Sequence, residues 1–327
     1  MRAWQVHELG EPRDVLTLAE VPDPEPAPGQ VLVRVLGAAA NFPDVLMVRG
    51  GYQVRPPLPY TPGIELCGEI VAAGPEVAGF TPGDRVIGSP AMPAGAFAEL
   101  ALMNADTILP APDGLDDAEA AAFFITYQTG WFGLHQRARL QAGETLLVQA
   151  AAGGVGSGAV QLGKAAGARV IGVVGGERKA EVARALGADV VIDRRSQDFV
   201  EVVKEVTGGR GADVVYDSVG GEAYARSTKC IAFEGRILVV GFASGQIPSA
   251  ALNHALVKNY SIVGLHWGLY QTKMPELIGE CHRQLTKLVA EGAIRPLVGE
   301  RLGLEEVPGV LQRLADGDTV GRIVVTP

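Results

Sequence analysis

Two hydrophobic rhythms divide the chain. Up to about residue 120, short apolar runs such as Val31-Leu32-Val33-Arg34-Val35-Leu36, Glu69-Ile70-Val71-Ala72-Ala73 and Asp84-Arg85-Val86-Ile87-Gly88 are each entered from a glycine, two of them as Pro-Gly (Pro28-Gly29, Pro82-Gly83). Strands this short, punctuated at this spacing, predict a small β-barrel-like domain. From near Ala118 to Leu265 the rhythm changes to apolar β runs alternating with helical segments. Strands are expected over 145–149, 169–174, 190–192, 213–216 and 236–240, with an edge strand over 261–264 and helices over 155–167 and 178–186. This is the signature of an α/β domain, a parallel sheet flanked by helices. A helix over 275–291 follows, then strand-like stretches ending in Gly321-Arg322-Ile323-Val324-Val325. These last strands are expected to return to the first domain. The division predicted is 1–120 plus 267–327 for one domain and 121–266 for the domain inserted in it.

Composition narrows the class. The net charge of −9 leaves no excess of Lys and Arg for a nucleic-acid surface. No apolar stretch approaches the length of a membrane span, and the run from Arg2 to Val6 reads as a strand rather than a signal core. Cys67, Cys230 and Cys281 lie far apart in the chain, so a reduced, cytoplasmic setting is expected.

The strongest local signal is Gln149-Ala150-Ala151-Ala152-Gly153-Gly154-Val155-Gly156, between an expected buried strand and an expected helix. A dinucleotide loop needs small residues there, because the backbone turns tightly and presents helix N-terminal N–H groups to a pyrophosphate. Gly153 and Gly156 take the second and third glycine positions of that fingerprint and Ala151 the first; Gly154 and Val155 lie between. The bland alternative is a glycine-rich strand–helix turn. The second strand ends Val174-Gly175-Gly176, without the acid that binds a ribose 2′-hydroxyl, and Arg178, Lys179, Arg194 and Arg195 are near. A missing acid beside cations suits a 2′-phosphate, hence NADPH, with Gly175, Lys179 and Arg194 as contacts. Glu177 is a nearby acid, and Arg178 and Lys179 also read as the solvated first turn of a helix. Val240, Gly241 and Phe242 follow the fifth strand, at the carboxyl edge where such sheets bind ligands. Asp217 ends the fourth strand and is expected to order its turn.

With Pro28 to Val33, Asn41-Phe42-Pro43-Asp44, Pro62-Gly63-Ile64-Glu65, Gly83 to Val86, Ala151 to Gly156 and Tyr216 to Gly221, the sequence resembles the medium-chain dehydrogenase/reductase superfamily, in its zinc-independent NADPH:quinone oxidoreductase (zeta-crystallin-like) branch. The resemblance implies a GroES-like catalytic domain with an inserted Rossmann domain, and a homodimer or homotetramer. It implies active-site roles for Asn41 and Tyr52, places Thr129 near the nicotinamide, and puts Arg322 close to a region that contacts the NADPH phosphate. Leu46 stands where the family has another aromatic. Zinc-dependent relatives carry Cys at the position of Asn41 and His at that of Ile64, and neither replacement supplies a thiolate or imidazole. No metal is therefore expected.

Without a metal to acidify an alcohol, the easier task is hydride delivery to an acceptor that is already electron-poor. The expected activity is NADPH-dependent reduction of a quinone. Reduction of the C=C bond of an α,β-unsaturated carbonyl or enoyl thioester is the alternative. A non-catalytic nucleotide-binding protein is the reading from another class.

Overall fold

Alternation of apolar and polar side chains makes Gln30–Ala39 the central strand of the first unit: Val31, Val33 and Val35 point into the core, while Arg34 between them is exposed. It pairs antiparallel with Leu66–Ala73, Leu100–Asn104 and Arg322–Thr326. The seven-stranded sheet so formed also carries Arg85–Gly88, Leu109–Pro110 and Val298–Gly303, and a separate two-stranded ribbon joins Arg2–Val6 to Leu16–Glu20. The computed structural model describes residues 1–327, and this unit comprises Met1–Ile125 and Arg295–Pro327.

The C-terminal segment is thus built into the first unit. Trp4 Nε1 donates to the Leu304 carbonyl at 2.7 Å, and Val325 packs in one core with Val33, Leu66 and Phe97. The segment also holds a helix, Val307–Ala315, where only strands were expected. Pro308 sits in its first turn, where a missing N–H costs nothing, and Val307, Val310 and Leu311 form its buried stripe. Nine residues are too few for that stripe to stand out from the neighbouring apolar strands.

The second unit, Thr126–Ile294, has a six-stranded parallel sheet in the order Val190–Asp193, Arg169–Val174, Thr145–Val148, Ala212–Asp217, Ile231–Val239, Ser261–Gly264. The central strands are buried on both faces, which is why they read as unbroken apolar runs. The unit extends to residue 294, not 266. Helices Gly268–Lys273 and Pro275–Ala290 pack on the helix that precedes the sheet: the Tyr270 ring lies 4.3 Å from that of Phe132, and Trp131 Nε1 donates to Gln284 Oε1. Tertiary packing, rather than a break in strand–helix alternation, sets this boundary. No helix is long and apolar enough to cross a membrane.

Phe97 is fully buried in the first core. Phe97→Ala is expected to cost about 3–5 kcal/mol, read as a lower denaturant midpoint. A loss below about 1 kcal/mol would mean that this core is not closed as described.

Candidate active site

In the second unit, strand Thr145–Val148 lies between Arg169–Val174 and Ala212–Asp217, and the chain leaves it in opposite directions for these neighbours. In an open α/β sheet, that reversal opens a crevice beyond the carboxyl ends of the strands. Residues 149–156 occupy it. Ala150 adopts φ 53°, a left-handed conformation that a side chain resists, and its carbonyl accepts the Gly153 N–H at 2.8 Å. A Cβ on Gly156 would stand 2.2 Å from that carbonyl oxygen, so only glycine fits. Gly153 is the N-cap of helix Gly154–Ala165, which leaves the N–H groups of Gly154, Val155 and Gly156 without acceptors inside the helix.

Beside this loop the second strand ends at Gly175 and Gly176. A Cβ on Gly175 would lie 3.4 Å from the Arg194 guanidinium, and one on Gly176 would lie 2.9 Å from that of Arg195. Asp193 Oδ1 accepts the N–H groups of Gly176 and Arg195, which hold its carboxyl below the ordinary range. Asp193 is therefore committed to the backbone, Glu177 is paired with Arg184 at 2.8 Å, and the two arginines line the corner. Lys179 is half-buried on helix Glu177–Ala185, and Thr129 is buried on helix Phe124–Trp131. Phe242 packs over Gly220 (φ 72°), so Val240, Gly241 and Phe242 share the carboxyl edge with the Asp217 turn. Asp217 Oδ1 accepts the N–H groups of Val219 and Gly220 and orders that turn. Trp267 Nε1 donates to Gln128 Oε1, a packing contact.

In the first unit, four polar side chains meet in the core. Arg322 Nη2 lies 2.5 Å from Glu65 Oε2, and its Nη1 donates to Asn41 Oδ1 at 2.8 Å. Asn41 Nδ2 donates to Glu65 Oε2 and to the Ala39 carbonyl, while Glu65 Oε1 accepts the Ile125 N–H. Asp44 Oδ2 accepts the Asn41 N–H at 2.8 Å, opening helix Phe42–Val48, and Asp44 Oδ1 has no hydrogen-bond partner. Burial pushes both carboxyls up. For Glu65 the Arg322 charge and the Asn41 and Ile125 donors oppose it; for Asp44 the Asn41 N–H, the Arg322 charge and the Gly63 backbone oppose it while the Glu65 charge adds to it, and it reaches about 7.

Two expectations change here. The Arg322 side chain is only 5% exposed and its guanidinium is committed to Glu65 and Asn41, so it is not a ligand for a cofactor phosphate. Asn41 is 3% exposed with both ends of its amide engaged, so a contact with a ribose or substrate would have to share or break these bonds. Tyr52 is half-buried against the same core, and burial, then the Asp44 charge, raises its phenol above the ordinary value. Asp44 and the pairing of Glu65 with Arg322 were missed in the sequence. The Asn41-x-x-Asp44 spacing is a capping signal, but nothing links residues 257 positions apart. Cys67, Cys230 and Cys281 are buried, and burial raises all three thiols.

Residues 27–113 match the family described as alcohol dehydrogenase GroES-like domain, and residues 154–283 that described as zinc-binding dehydrogenase. A quinone oxidoreductase-like protein 2 homolog from Nematostella vectensis is 36% identical over 326 residues, covering 99% of this chain and 88% of its own. The Escherichia coli quinone oxidoreductase complexed with NADPH superposes with a TM-score of 0.92 at 31% identity, over the whole of both chains. The CurK enoyl reductase superposes with a TM-score of 0.88 at 26% identity, over 99% of this chain and 98% of that one.

Arg322→Met leaves Glu65 buried without its counter-charge and is expected to cost about 3–5 kcal/mol. Adding Glu65→Gln is expected to recover part of that loss, and denaturant unfolding of the single and double variants checks it. Asp44 binds its proton more tightly folded (about 7) than unfolded (3.8). Its contribution to stability is therefore full below 3.8 and is lost as pH rises through 7. Unfolding curves at pH 5 and pH 8 are expected to show Asp44→Asn, which keeps an acceptor for the Asn41 N–H, losing less stability over that interval than the unaltered protein.

Proposed function

Because the chain belongs to the quinone oxidoreductase branch of the medium-chain dehydrogenase/reductase superfamily, we propose that it binds NADPH on its second unit and reduces a quinone without a metal. NADPH supplies the hydride when bound. The observation that carries the cofactor reading is the corner at Gly175 and Gly176, lined by Arg194 and Arg195 with Asp193 turned to the backbone. Guanidinium groups suit a 2′-phosphate, and a free carboxylate there would repel it. Lys179 adds a third cation. The N–H groups of Gly154, Val155 and Gly156 hold the pyrophosphate, and Val240, Gly241, Phe242 and Thr129 flank the nicotinamide end.

Zinc does not fit the first unit. Of the positions where zinc relatives hold their metal, Asn41 and Ile64 offer no thiolate or imidazole, and both oxygens of Glu65 are taken. A dication at Glu65 would have to displace a guanidinium 2.5 Å away. Tyr52 then supplies the polar contact to the acceptor. Its raised phenol keeps its proton at neutral pH and can donate a hydrogen bond to the oxygen on which hydride charge collects.

Leu46 and the likeness to CurK enoyl reductase favour a second reading, reduction of a conjugated C=C bond. An aliphatic wall holds an acyl chain as readily as a flat ring. The buried, unpaired cysteines accord with a reducing, cytoplasmic setting. Edge strand Ser261–Gly264, with Ile262 exposed, fits pairing with a second copy, since an open apolar edge is a liability unless covered.

Initial rates with NADPH and NADH against a para-quinone, an enone and an enoyl thioester test the reading. NADPH-specific quinone turnover is expected. Arg194→Ala with Lys179→Ala is expected to lower kcat/KM for NADPH about 10–100-fold, a loss of charge-assisted hydrogen bonds, and to leave NADH nearly unchanged. Equal losses for both cofactors would remove the 2′-phosphate reading. Turnover of the enone or thioester alone would select the alkene reductase.

A further inference from the structure

A second cavity lies in the nucleotide-binding unit at the other end of the sheet. Its wall includes Arg210, which leads into strand Ala212–Asp217, and Lys229, which leads into strand Ile231–Val239, so it sits at the amino ends of these parallel strands. The loop 149–156 lies at the carboxyl ends. Six residues of strand at about 3.3 Å each separate the two by roughly 20 Å. The cavity measures about 350 Å³, enough for a small molecule.

Its lining is unlike the rest of a chain that carries a net charge of −9. Lys204, Arg210, Lys229 and Lys258 converge on it and no carboxylate does. Lys204 is paired outside it with Glu201, and Arg210 with Asp213. Lys229 has no ion-pair partner, and Lys258 donates only to the carbonyls of Thr228 (2.9 Å) and Lys229 (3.4 Å). Two positive charges are therefore uncompensated at one point. Burial, and then the Lys204 charge, pushes the Lys258 ammonium down, a cost that a bound anion would relieve. The same lining includes two large hydrophobic side chains left open to solvent, Phe233 at 70% and Val257 at 76% exposure. Cations beside exposed apolar side chains in one cavity match a molecule with an anionic head and a hydrocarbon tail.

We propose that this cavity is a second ligand site, for a small phosphomonoester with an aliphatic tail, its phosphate on Lys229 and Lys258 and its tail on Phe233 and Val257. A phosphomonoester carries about −1.5 to −2 at neutral pH, which balances the two free cations. The distance across the sheet keeps this ligand from overlapping NADPH.

Calorimetric titration of the full-length protein, saturated with NADPH, tests the proposal with octyl phosphate, inorganic phosphate, octyl glucoside and vesicles containing phosphatidic acid. Octyl phosphate is expected to bind at least tenfold more tightly than inorganic phosphate, and octyl glucoside not to bind. Lys229→Ala with Lys258→Ala is expected to weaken octyl phosphate at least tenfold without changing the affinity for NADPH. Because Lys258 also anchors two carbonyls, Lys229→Ala alone is measured beside it and is expected to weaken binding several-fold. Phe233→Ser with Val257→Ser is expected to reduce octyl phosphate to the affinity of inorganic phosphate. Octyl phosphate binding that is absent, unchanged in Lys229→Ala or displaced by NADPH would overturn the proposal. So would binding to vesicles alone, which would make the patch a membrane contact.

Discussion

The ion pair between Glu65 and Arg322 is the constraint from which the first unit takes its shape. Neither side chain is more than 5% exposed, and a charge so placed is tolerable only when paired and hydrogen-bonded. Satisfying it draws four parts of the chain to one point. Strand Arg322–Thr326 brings the guanidinium, the residues before strand Leu66–Ala73 bring the carboxylate, Asn41 bridges them, and the Ile125 N–H closes the fourth side. The C-terminal segment is accordingly part of the first unit. An insertion of 169 residues, Thr126–Ile294, can then fold between the two segments without dividing that core.

The same cluster supports the metal-free chemistry proposed for this scaffold. Where a metal would need an open carboxylate, both oxygens of Glu65 already accept hydrogen bonds, and the arginine supplies the positive charge instead. A guanidinium neutralises a carboxylate but cannot act as a Lewis acid on a substrate oxygen. The chemistry proposed for the chain draws on the electron deficiency of its acceptor and on a phenol that stays protonated. Asp44, the second carboxyl of the cluster, is pushed up to about 7 by burial, with the Glu65 charge adding to it and the Arg322 charge opposing it.

In the second unit, strain and space replace charge. Ala150 is held at φ 53° so that its carbonyl can accept the Gly153 N–H, and this turn aims the start of helix Gly154–Ala165. Gly156 follows from the same geometry, since any side chain there would strike the Ala150 carbonyl. The glycines of this loop are thus consequences of one tight turn. Their tight turn was legible in the sequence because a short-range steric rule needs only neighbouring residues. The corner at Gly175 was readable for the same reason: strand end, glycines and cations all lie within about twenty positions.

Short-range physics is what the sequence determined by itself: the strand–helix alternation of the second unit, the loop 149–156, the absence of a thiolate or imidazole in the side chains of Asn41 and Ile64, and the cations at 194 and 195. Each depends on periodicity, turn sterics or the donor atoms of a single residue type. The tertiary structure alone decided where the units divide, which surfaces stay open, and what Arg322 and Asn41 do. Helix Pro275–Ala290 was legible as a helix, but only packing on Trp131 assigns it to the second unit. Arg322 was visible as a cation, but its partner lies 257 residues away. A charge chooses its partner by distance in the folded chain and by the cost of burial without one, and neither quantity exists along a sequence.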